Sequence, residues 1–461
     1  MNTSTLVLPA PLYEQLRAVA AEPLETAGVL LASLVSTDQG VRLLGREYHP
    51  VPQQAYRIRE VDRLGISSDG YVHALSRAEQ LGAVAIWFHT HPGDGSWPGP
   101  SRWDDKVDVD LAETFRVRTN NDFYGTLIFS PTGSEVAFTG RILFADAAPE
   151  RLERLWVVGE RFKLFHASGK ALGEPLAIYD RNVRAFGAPI QRALSDLRVG
   201  VVGCGGTGSS VIEQLGRVGV RHFVLIDPEE LSDSNVTRVY GSTPQDVGMP
   251  KVDIAAKNLK RISPDIEAEM IQSTCNVAAT AKRLAGCDVV FGCTDDNAGR
   301  LVLSRLPYYM LTPVFDMGVL LSATDDGLLQ GIDGRVTTVV PGSACLICRN
   351  RIDVKRAGAE LMTPAERKRL EKEGYAPQLG RTELAVVTFT TAVAAAAVSE
   401  LLERLVGFGP SPAPTELLLR LHERELSTNA AAPRAQHYCD PANGKLGIGM
   451  VEPFLDMAWT V

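Results

Sequence analysis

The chain of 461 residues is too long for one ordinary hydrophobic core, which predicts two to three domains. Its residues are 45% apolar and 22% charged, as in soluble globular proteins, and a formal charge of −8 gives no electrostatic reason to expect nucleic acid or an anionic membrane as a partner. No apolar run approaches the roughly 20 residues that span a bilayer, no signal-peptide pattern is present, and seven cysteines make no disulfide framework, so we expect a cytoplasmic protein.

The first predicted domain covers residues 1–146 and mixes short strands with helices, the pattern of an α+β fold. Its apolar alternation and helical periodicity predict strands over 5–9, 29–35, 42–48 and 83–88, helices over 10–22 and 104–116, the end of a helix over 76–81, and a terminal hairpin from 123–129 and 135–143.

Two histidines, His89 and His91, end the strand predicted over 83–88. Residues spaced i, i+2 on a strand share one face, and a carboxylate from the next helix, Asp104 or its neighbour Asp105, could complete a zinc site that keeps one position for water. Such a site needs a separate acid/base, and Glu25 is available upstream. The alternative is a histidine-rich turn that binds no metal.

The segments LETAG, FHTHP and SRWD together resemble the signature of the JAMM (MPN-plus, or JAB) metalloisopeptidases. The resemblance implies that His89, His91 and Asp104 bind a catalytic zinc ion, that Glu25 is the general acid/base, and that Ser101 donates a hydrogen bond to the oxyanion. One departure stands out: nine residues separate His91 from Ser101, where the family usually has seven.

Residues 147–175 predict a linker with some helical character, and strand and helix then alternate from residue 197. That alternation predicts a parallel, doubly wound α/β sheet of Rossmann type over residues 176–430. A charged surface helix is predicted over 362–375, and a long buried helix over 383–409 that ends at Gly407.

A glycine-rich turn, VVGCGGTGSS, joins a predicted strand to a predicted helix. Glycines let a phosphate approach the backbone, and the helix N-terminus favours its negative charge. Asp227 ends the next strand 24 residues after Gly203, where an acid suits ribose hydroxyls. This pattern alone fits an NAD enzyme as well as an ATP enzyme. The candidate glycines are Gly203, Gly205, Gly206 and Gly208.

The segments DPEELSDSNVTR, VGMPKVDIAAKNLKRISP and GCTDDNAGR resemble those of the ThiF/MoeB/ubiquitin-activating family, which uses ATP to adenylate the C-terminal carboxylate of a ubiquitin-like protein. A degenerate domain that binds a nucleotide without chemistry is the alternative. The resemblance implies a homodimer and the following roles: ribose at Asp227, with Glu229 in place of the family's second aspartate; phosphates at Asn235, Arg238 and Lys251; Mg²⁺ at Asp295; and Arg181 reaching the ATP of the opposite subunit.

The remaining motif, CLIC at Cys345 and Cys348, resembles half of that family's structural zinc site. Cys439, in the C-terminal segment 431–461, and nearby His437 could complete a tetrahedral site, although His-x-Cys is not the usual spacing. The other four cysteines are more simply small buried residues. No cysteine lies between residues 349 and 438, so we expect no internal thioester of the standard kind.

Taken together, the two resemblances predict a bifunctional enzyme of a bacterial ubiquitin-like modifier system. One domain would cleave at the modifier C-terminus with Zn²⁺, and the other would adenylate that terminus with ATP and Mg²⁺ before an external conjugating enzyme or sulfur donor takes it. The alternatives are a sulfur-carrier adenylyltransferase for cofactor, cysteine or secondary-metabolite synthesis, and a non-catalytic scaffold that binds ubiquitin-like tails.

Overall fold

The computed structural model describes residues 3–93, 97–170, 173–324, 328–362 and 385–459. The chain divides into two compact units, Met1–Leu172 with Gly447–Gly449, and Gly173–Leu446 with Met450–Val461. The charged helix predicted over 362–375 lies outside the described residues, apart from residue 362 itself. Of the helices in the described ranges, none combines the length and apolar character needed to cross a membrane.

The first unit is built on a nine-stranded mixed sheet flanked by three α-helices. Its elements are β1 (Thr5–Pro9), α1 (Ala10–Ala20), β2 (Ala27–Thr37), β3 (Gly40–Pro50), β4 (Tyr56–Arg59), β5 (Leu64–Ile66), α2 (Val72–Leu81), β6 (Val84–Thr90), α3 (Arg102–Thr119), β7 (Phe123–Thr132), β8 (Glu135–Phe144), β9 (Glu150–Arg151), β10 (Arg154–Val158) and β11 (Lys163–His166). The strand order is β11-β10-β1-β3-β2-β6-β7-β8-β9, and β4 pairs only with β5.

The strands and helices predicted for the first 146 residues are confirmed. Most of their ends differ from the predicted ends by one or two residues, and a few ends differ by more. The helical character expected for 147–175 is wrong, because this segment forms β9, β10 and β11. The strand β10 is buried throughout and pairs in parallel with β1, so the hairpin of β7 and β8 is not the last part of the sheet. Its run LWVV is too short and too continuously apolar for an amphipathic helix and suits a buried parallel strand.

Both faces of this sheet are covered by apolar clusters, which explains the continuous apolar runs of β2 and β6. Leu30 and Phe88 belong to the cluster that includes α1, whereas Val29, Leu31 and Trp87 belong to the cluster that includes α2 and α3. Because side chains alternate along a strand, His89 follows Trp87 on the face that α3 covers.

The second unit contains an eight-stranded sheet with helices packed around it. Its elements are α4 (Asp180–Phe186), α5 (Ala188–Asp196), β12 (Arg198–Val202), α6 (Gly206–Val218), β13 (His222–Ile226), α7 (Lys251–Ile262), β14 (Glu267–Ile271), α8 (Ala278–Arg283), β15 (Val289–Gly292), α9 (Asn297–Leu303), α10 (Leu306–Tyr309), β16 (Val314–Ala323), β17 (Leu329–Val339), α11 (Val354–Glu360), α12 (Val387–Val406), β18 (Glu416–Arg420) and β19 (Glu425–Asn429).

The predicted parallel sheet accounts for five of these strands, in the order β14-β13-β12-β15-β16. The strands β17, β18 and β19 extend it in antiparallel fashion, a feature the sequence interpretation did not include. The order of strands reverses direction between β12 and β15, and such a switch point opens a crevice at the carboxyl ends of the strands. The predicted long helix is confirmed as α12, which ends where Gly407 adopts φ 79°.

Candidate active sites and metal centres

A cavity of about 1200 Å³ opens at the carboxyl ends of the parallel strands in the second unit. Its position is the one that the strand order predicts for a ligand. The structure brings nine of the residues predicted to bind nucleotide onto the wall of this cavity: Gly203, Gly205, Gly206, Asp227, Glu229, Asn235, Arg238, Lys251 and Asp295.

The glycine-rich turn is packed so tightly that two of its positions exclude a side chain. Gly203 has φ 91°, and a Cβ there would lie 2.7 Å from the Cys293 carbonyl oxygen. A Cβ on Gly208 would lie 1.7 Å from the Gly203 carbonyl oxygen. Gly208 is not among the residues that line the cavity, and its predicted contact with the nucleotide stays a prediction. Gly205, by contrast, faces open space as the N-cap of α6.

Asp227 fixes the turn to the end of β13. Its Oδ2 accepts a hydrogen bond from the Cys204 amide at 2.6 Å, and its Oδ1 accepts one from the Glu229 amide at 2.8 Å. Burial raises the pKa of Asp227, although these two bonds favour its charged form. The carboxylate therefore holds the glycine turn and the following loop together while it lines the cavity.

Lys251 and Arg238 supply positive charge on the same wall. Lys251 is the first residue of α7, and its buried side chain forms an ion pair with Glu229. The backbone of Arg238 is fixed by a hydrogen bond that its amide donates to the Asn235 carbonyl oxygen at 2.9 Å. These cations lie beside the N-terminus of α6, where an anionic group such as a phosphate is favoured.

The loop after β15 carries two adjacent acids with different environments. Asp295 is exposed on the cavity wall. Asp296 is the N-cap of α9 and accepts hydrogen bonds from the Gly299 amide and the Thr294 hydroxyl, while burial raises its pKa. This difference supports Asp295 as the acid available to a ligand.

The cavity wall also includes residues to which the sequence interpretation gave no role, notably Arg300, Met317, Gly318 and Arg356. Arg300 ends the segment GCTDDNAGR, which the sequence interpretation used only for Asp295, and no motif contains the other three. Arg181, predicted to contact ATP, lies exposed on α4 and is not on this wall.

A second site lies in the first unit, where His89, His91 and Asp104 bring one ligand atom each within 4.8 Å of one another. His89 Nε2 is 3.3 Å from Asp104 Oδ1, and His91 Nε2 is 3.6 Å from Asp104 Oδ2. Burial alone would raise the pKa of Asp104, but the two histidines outweigh it and hold that pKa well below its ordinary value. Two imidazoles and a carboxylate are a donor set that fits catalytic zinc.

Glu25 and Ser101 flank this cluster. Glu25 Oε1 lies 3.9 Å from His91 Nε2, and burial raises the Glu25 pKa. Ser101 is the N-cap of α3: its hydroxyl accepts hydrogen bonds from the Trp103 and Asp104 amides at 3.2 Å, and Asp104 Oδ2 accepts one from the Ser101 amide at 2.6 Å. This capping box orients Asp104 toward the histidines. Asp105 pairs with Arg141 instead, and His73 lies on α2 outside the cluster.

A third cluster brings together residues about 90 positions apart in the second unit: Cys345, Cys348, His437 and Cys439. His437 Nδ1 lies 3.5 Å from the sulfur atoms of Cys345 and Cys348 and 3.2 Å from that of Cys439, and the Cys348 and Cys439 sulfur atoms are 3.5 Å apart. Tetrahedral Zn–S bonds of about 2.3 Å place neighbouring sulfur atoms about 3.8 Å apart, so the donor set fits a closed zinc site.

The four other cysteines do not have the environment of reactive thiols. Cys204, Cys275 and Cys287 are buried, and Cys293 is half-buried at the cavity wall. Burial raises the pKa of Cys204, Cys275 and Cys293. A thiol held in its neutral form is a poor nucleophile.

Comparison with known proteins finds relatives that match about a third of this chain. The chain is 30% identical over 158 residues to the SAMP-activating enzyme E1 of Haloferax volcanii, a match that covers 34% of this chain. It is 31% identical over 178 residues, 38% of this chain, to the molybdopterin-synthase adenylyltransferase of Escherichia coli K12. The chain spans 55% and 68% of the length of these two relatives, respectively.

Among solved structures, Escherichia coli MccB crystallised with ATP aligns with a TM-score of 0.44 and 17% identity, over 56% of this chain and 73% of that chain. The family comparison is more extensive, because residues 179–440, more than half of the chain, match the ThiF family. The chain therefore belongs to the ThiF family.

Proposed function

We propose that the second unit is an ATP-dependent adenylyltransferase that activates the C-terminal carboxylate of a ubiquitin-like or sulfur-carrier protein. The observation that carries this proposal is the gathering of nine predicted nucleotide-binding residues on one cavity wall in a member of the ThiF family. The two relatives are named as a SAMP-activating enzyme E1 and a molybdopterin-synthase adenylyltransferase. These names support a carrier protein as the substrate class.

In this reaction a carboxylate oxygen of the carrier attacks the α-phosphorus of ATP. The bond from that phosphorus to the bridging oxygen breaks, pyrophosphate leaves with the electron pair, and the carrier retains AMP as an acyl-adenylate. Mg²⁺ would be held by Asp295 and would neutralise phosphate charge. Arg238, Lys251 and the amides at the start of α6 bind the phosphates and stabilise the charge on the leaving group.

ATP–pyrophosphate exchange tests this proposal, with a ubiquitin-like or sulfur-carrier protein as acyl substrate. We expect carrier-dependent exchange by the wild type and a loss of at least about a hundredfold in Arg238→Ala, since one preorganised donor at a developing charge contributes that much. The matched control is Arg217→Ala, because Arg217 is exposed on α6 and pairs with Glu213. Absence of exchange by the wild type, or equal loss in both variants, contradicts the proposal.

The product after adenylation separates two pathways. Because no cysteine lies between residues 349 and 438, we expect the adenylate to pass to an external acceptor. Mass spectrometry of the carrier distinguishes a thiocarboxylate, heavier by about 16 Da (O→S), from attachment to a protein lysine.

We also expect a homodimer in which Arg181 reaches the partner's ATP. Mixing Arg181→Ala with an Arg238→Ala subunit should then restore part of the exchange activity.

We propose as a second function that the first unit is a zinc-dependent hydrolase that cleaves a peptide or isopeptide bond at the modifier C-terminus. The observation that favours it is the convergence of His89, His91 and Asp104, with Glu25 at 3.9 Å from His91. Zinc at such a site supplies a nucleophilic water near neutral pH. Glu25 accepts the proton of the attacking water and transfers it to the leaving amine, and Ser101 donates a hydrogen bond to the developing oxyanion.

Metal content and cleavage together test this hydrolase. We expect Glu25→Gln to retain zinc and lose cleavage of a ubiquitin-like protein extended past its terminal glycine. Asp104→Asn should lose both, and a chelator should abolish wild-type cleavage. Glu22→Gln is the control, since Glu22 is an exposed acid just after α1. Cleavage that survives the chelator contradicts the metal mechanism.

We propose a structural zinc ion at Cys345, Cys348, His437 and Cys439. Two zinc ions per chain are then expected in the wild type and one in Cys439→Ser, which should also lower the unfolding temperature of the second unit because ligand binding contributes to folding. One ion in both proteins would contradict this assignment.

A further inference from the structure

A buried carboxylate lies behind the cavity wall and belongs to none of the motifs. Asp316, near the start of β16, is fully buried, and its Oδ2 accepts a hydrogen bond from Arg335 Nη2 at 2.6 Å. On its other side, Arg300 Nε lies 3.5 Å from Asp316 Oδ1. One buried acid therefore pairs with two arginines, through a hydrogen bond to Arg335 and through an ion pair without a hydrogen bond to Arg300, and the three groups together carry a net charge of +1.

Of these arginines, Arg300 is the one on the cavity wall. Its Nη2 donates to the Met317 carbonyl oxygen at 3.3 Å, and its Nη1 has no hydrogen-bond partner among the residues that the structure describes. Arg335 lies just behind, where a Cβ on Gly318 would be 3.3 Å from Arg335 Nη2. The fork of Arg300 is thus fixed at one side and available to a ligand at the other.

The sheet order places this arginine opposite the nucleoside end of the cavity. Asp227 follows β13, the glycine turn follows β12, Asp295 follows β15, and Met317 and Gly318 lie on β16. Neighbouring strands are about 4.8 Å apart, so β16 lies roughly 14 Å from β13 along the sheet edge. With ribose at Asp227 and phosphates at the glycine turn, the β16 side is where the acyl substrate must enter.

The charges of the wall explain why a cation is needed on that side. Five carboxylates line the cavity: Asp227, Glu229, Glu230, Asp295 and Asp296. Of the cations, Lys251 is paired with Glu229, and Arg356 on α11 is paired with Glu360. An incoming carboxylate would be repelled by these acids and by ATP itself unless a fixed positive group meets it.

We propose that Arg300 binds the terminal carboxylate of the acyl substrate and that Asp316 is the positioning residue that holds Arg300 in place. This assignment rests on the proposed adenylation and names the group that receives its carboxylate. Bidentate geometry suits a guanidinium fork to a carboxylate. Arg335 completes the arrangement, because it neutralises the second oxygen of Asp316 and leaves Arg300 only partly compensated.

The test compares two synthetic peptides that end in glycine, one with a free carboxylate and one with a C-terminal amide. Fluorescence anisotropy measures their affinity for the full chain. We expect the wild type to bind the carboxylate at least about tenfold more tightly than the amide. Arg300→Ala and Asp316→Asn should both reduce this preference to near one. The double variant should be no worse than Arg300→Ala alone, because Asp316 acts through Arg300.

Glu416→Gln is the matched control for loss of a buried, ion-paired acid. Glu416 on β18 is as buried as Asp316 and pairs with Arg351; the Thr337 hydroxyl lies between Glu416 and Arg335, and Arg300 is not a partner of Glu416 among the described residues. This variant should lose stability yet keep the tenfold preference. A preference that survives in Arg300→Ala, or that falls equally in Glu416→Gln, overturns the inference. Preference for the carboxylate without any ATP–pyrophosphate exchange would instead refute the adenylation and leave this carboxylate site standing.

Discussion

Two glycines of the same turn are expected to respond oppositely to the same substitution. In Gly208→Ala the new Cβ would lie 1.7 Å from a backbone oxygen, that of Gly203. An ordinary contact needs about 3.4 Å, and a backbone atom cannot rotate away like a side chain. Relief therefore requires the turn to move by more than 1 Å, which we expect to cost about 2–4 kcal/mol of unfolding free energy.

Gly205→Ala places its Cβ in open space with an ordinary φ of −72°. Only the weaker N-cap preference of alanine opposes it, a cost of less than about 1 kcal/mol. The added methyl, however, projects where phosphate must approach the amides at the start of α6. We expect at least a tenfold loss of affinity for ATP, since even one displaced charge-assisted hydrogen bond contributes about 1.5–3 kcal/mol.

Urea unfolding and calorimetric titration with a non-hydrolysable ATP analogue measure the two effects separately. We expect Gly208→Ala to unfold at lower urea concentration than the wild type, and Gly205→Ala to be stable but to bind the analogue poorly. Wild-type affinity in Gly205→Ala would show that the phosphates do not bind at this turn. Wild-type stability in Gly208→Ala would refute the packing argument.

Three further predictions concern residues outside the glycine turn. Gly28→Ala puts a Cβ 2.6 Å from the His49 carbonyl oxygen, so we expect about 2 kcal/mol lower unfolding free energy for the first unit in urea; an unchanged midpoint would contradict this. Ser101→Asp keeps a capping acceptor but removes the hydroxyl donor, so stability should change by less than about 0.5 kcal/mol while cleavage falls at least a hundredfold. Equal cleavage by Ser101→Asp and the wild type would show that Ser101 caps α3 and does not donate a hydrogen bond to the oxyanion. For Glu416, burial would raise the pKa, but hydrogen bonds from Arg351, Asn429 and Thr337 outweigh it and lower the pKa to about 2. The stability advantage of the wild type over Glu416→Gln should therefore be full above the ordinary value of 4.5 and shrink as the pH falls from there toward 2, as measured by urea unfolding at each pH; a pH-independent difference would contradict the ion-pair explanation.

The sequence predicted the strands and helices best where a periodic pattern and an end signal coincide. The helix α12 is an example, because its long apolar run ends at Gly407, whose positive φ only glycine adopts readily. The strand β10 was missed because its apolar run is short and lies among polar residues. Its partner β1 is about 150 residues away, and no local signal reports such a pairing.

Site residues were predictable where several polar groups follow the ends of strands at fixed spacings. That rule led to Asp227, whereas the resemblance to the ThiF/MoeB/ubiquitin-activating family implied Lys251 and Asp295, and the structure gathers all three on one wall. It could not lead to Asp316 or Arg335, because their significance arises only from the antiparallel pairing of β16 with β17, which sets Gly318 opposite Arg335. Gly208 shows that a motif glycine can also be required by backbone packing, since a Cβ there would meet the Gly203 carbonyl oxygen.

The segment between His91 and Ser101 is anchored at both of its ends. The His91 amide donates to the Phe129 carbonyl oxygen at 2.9 Å, the Pro98 carbonyl oxygen accepts from the Thr139 hydroxyl, and Ser101 begins α3 in a reciprocal cap with Asp104. Because His91, Pro98 and Ser101 are each tied to a strand or to α3, two additional residues between His91 and Ser101 need not disturb the arrangement of His89, His91 and Asp104. Under the proposed hydrolase function, the length of this loop can therefore change, and with it the substrate preference, while the proposed zinc ligands keep their arrangement.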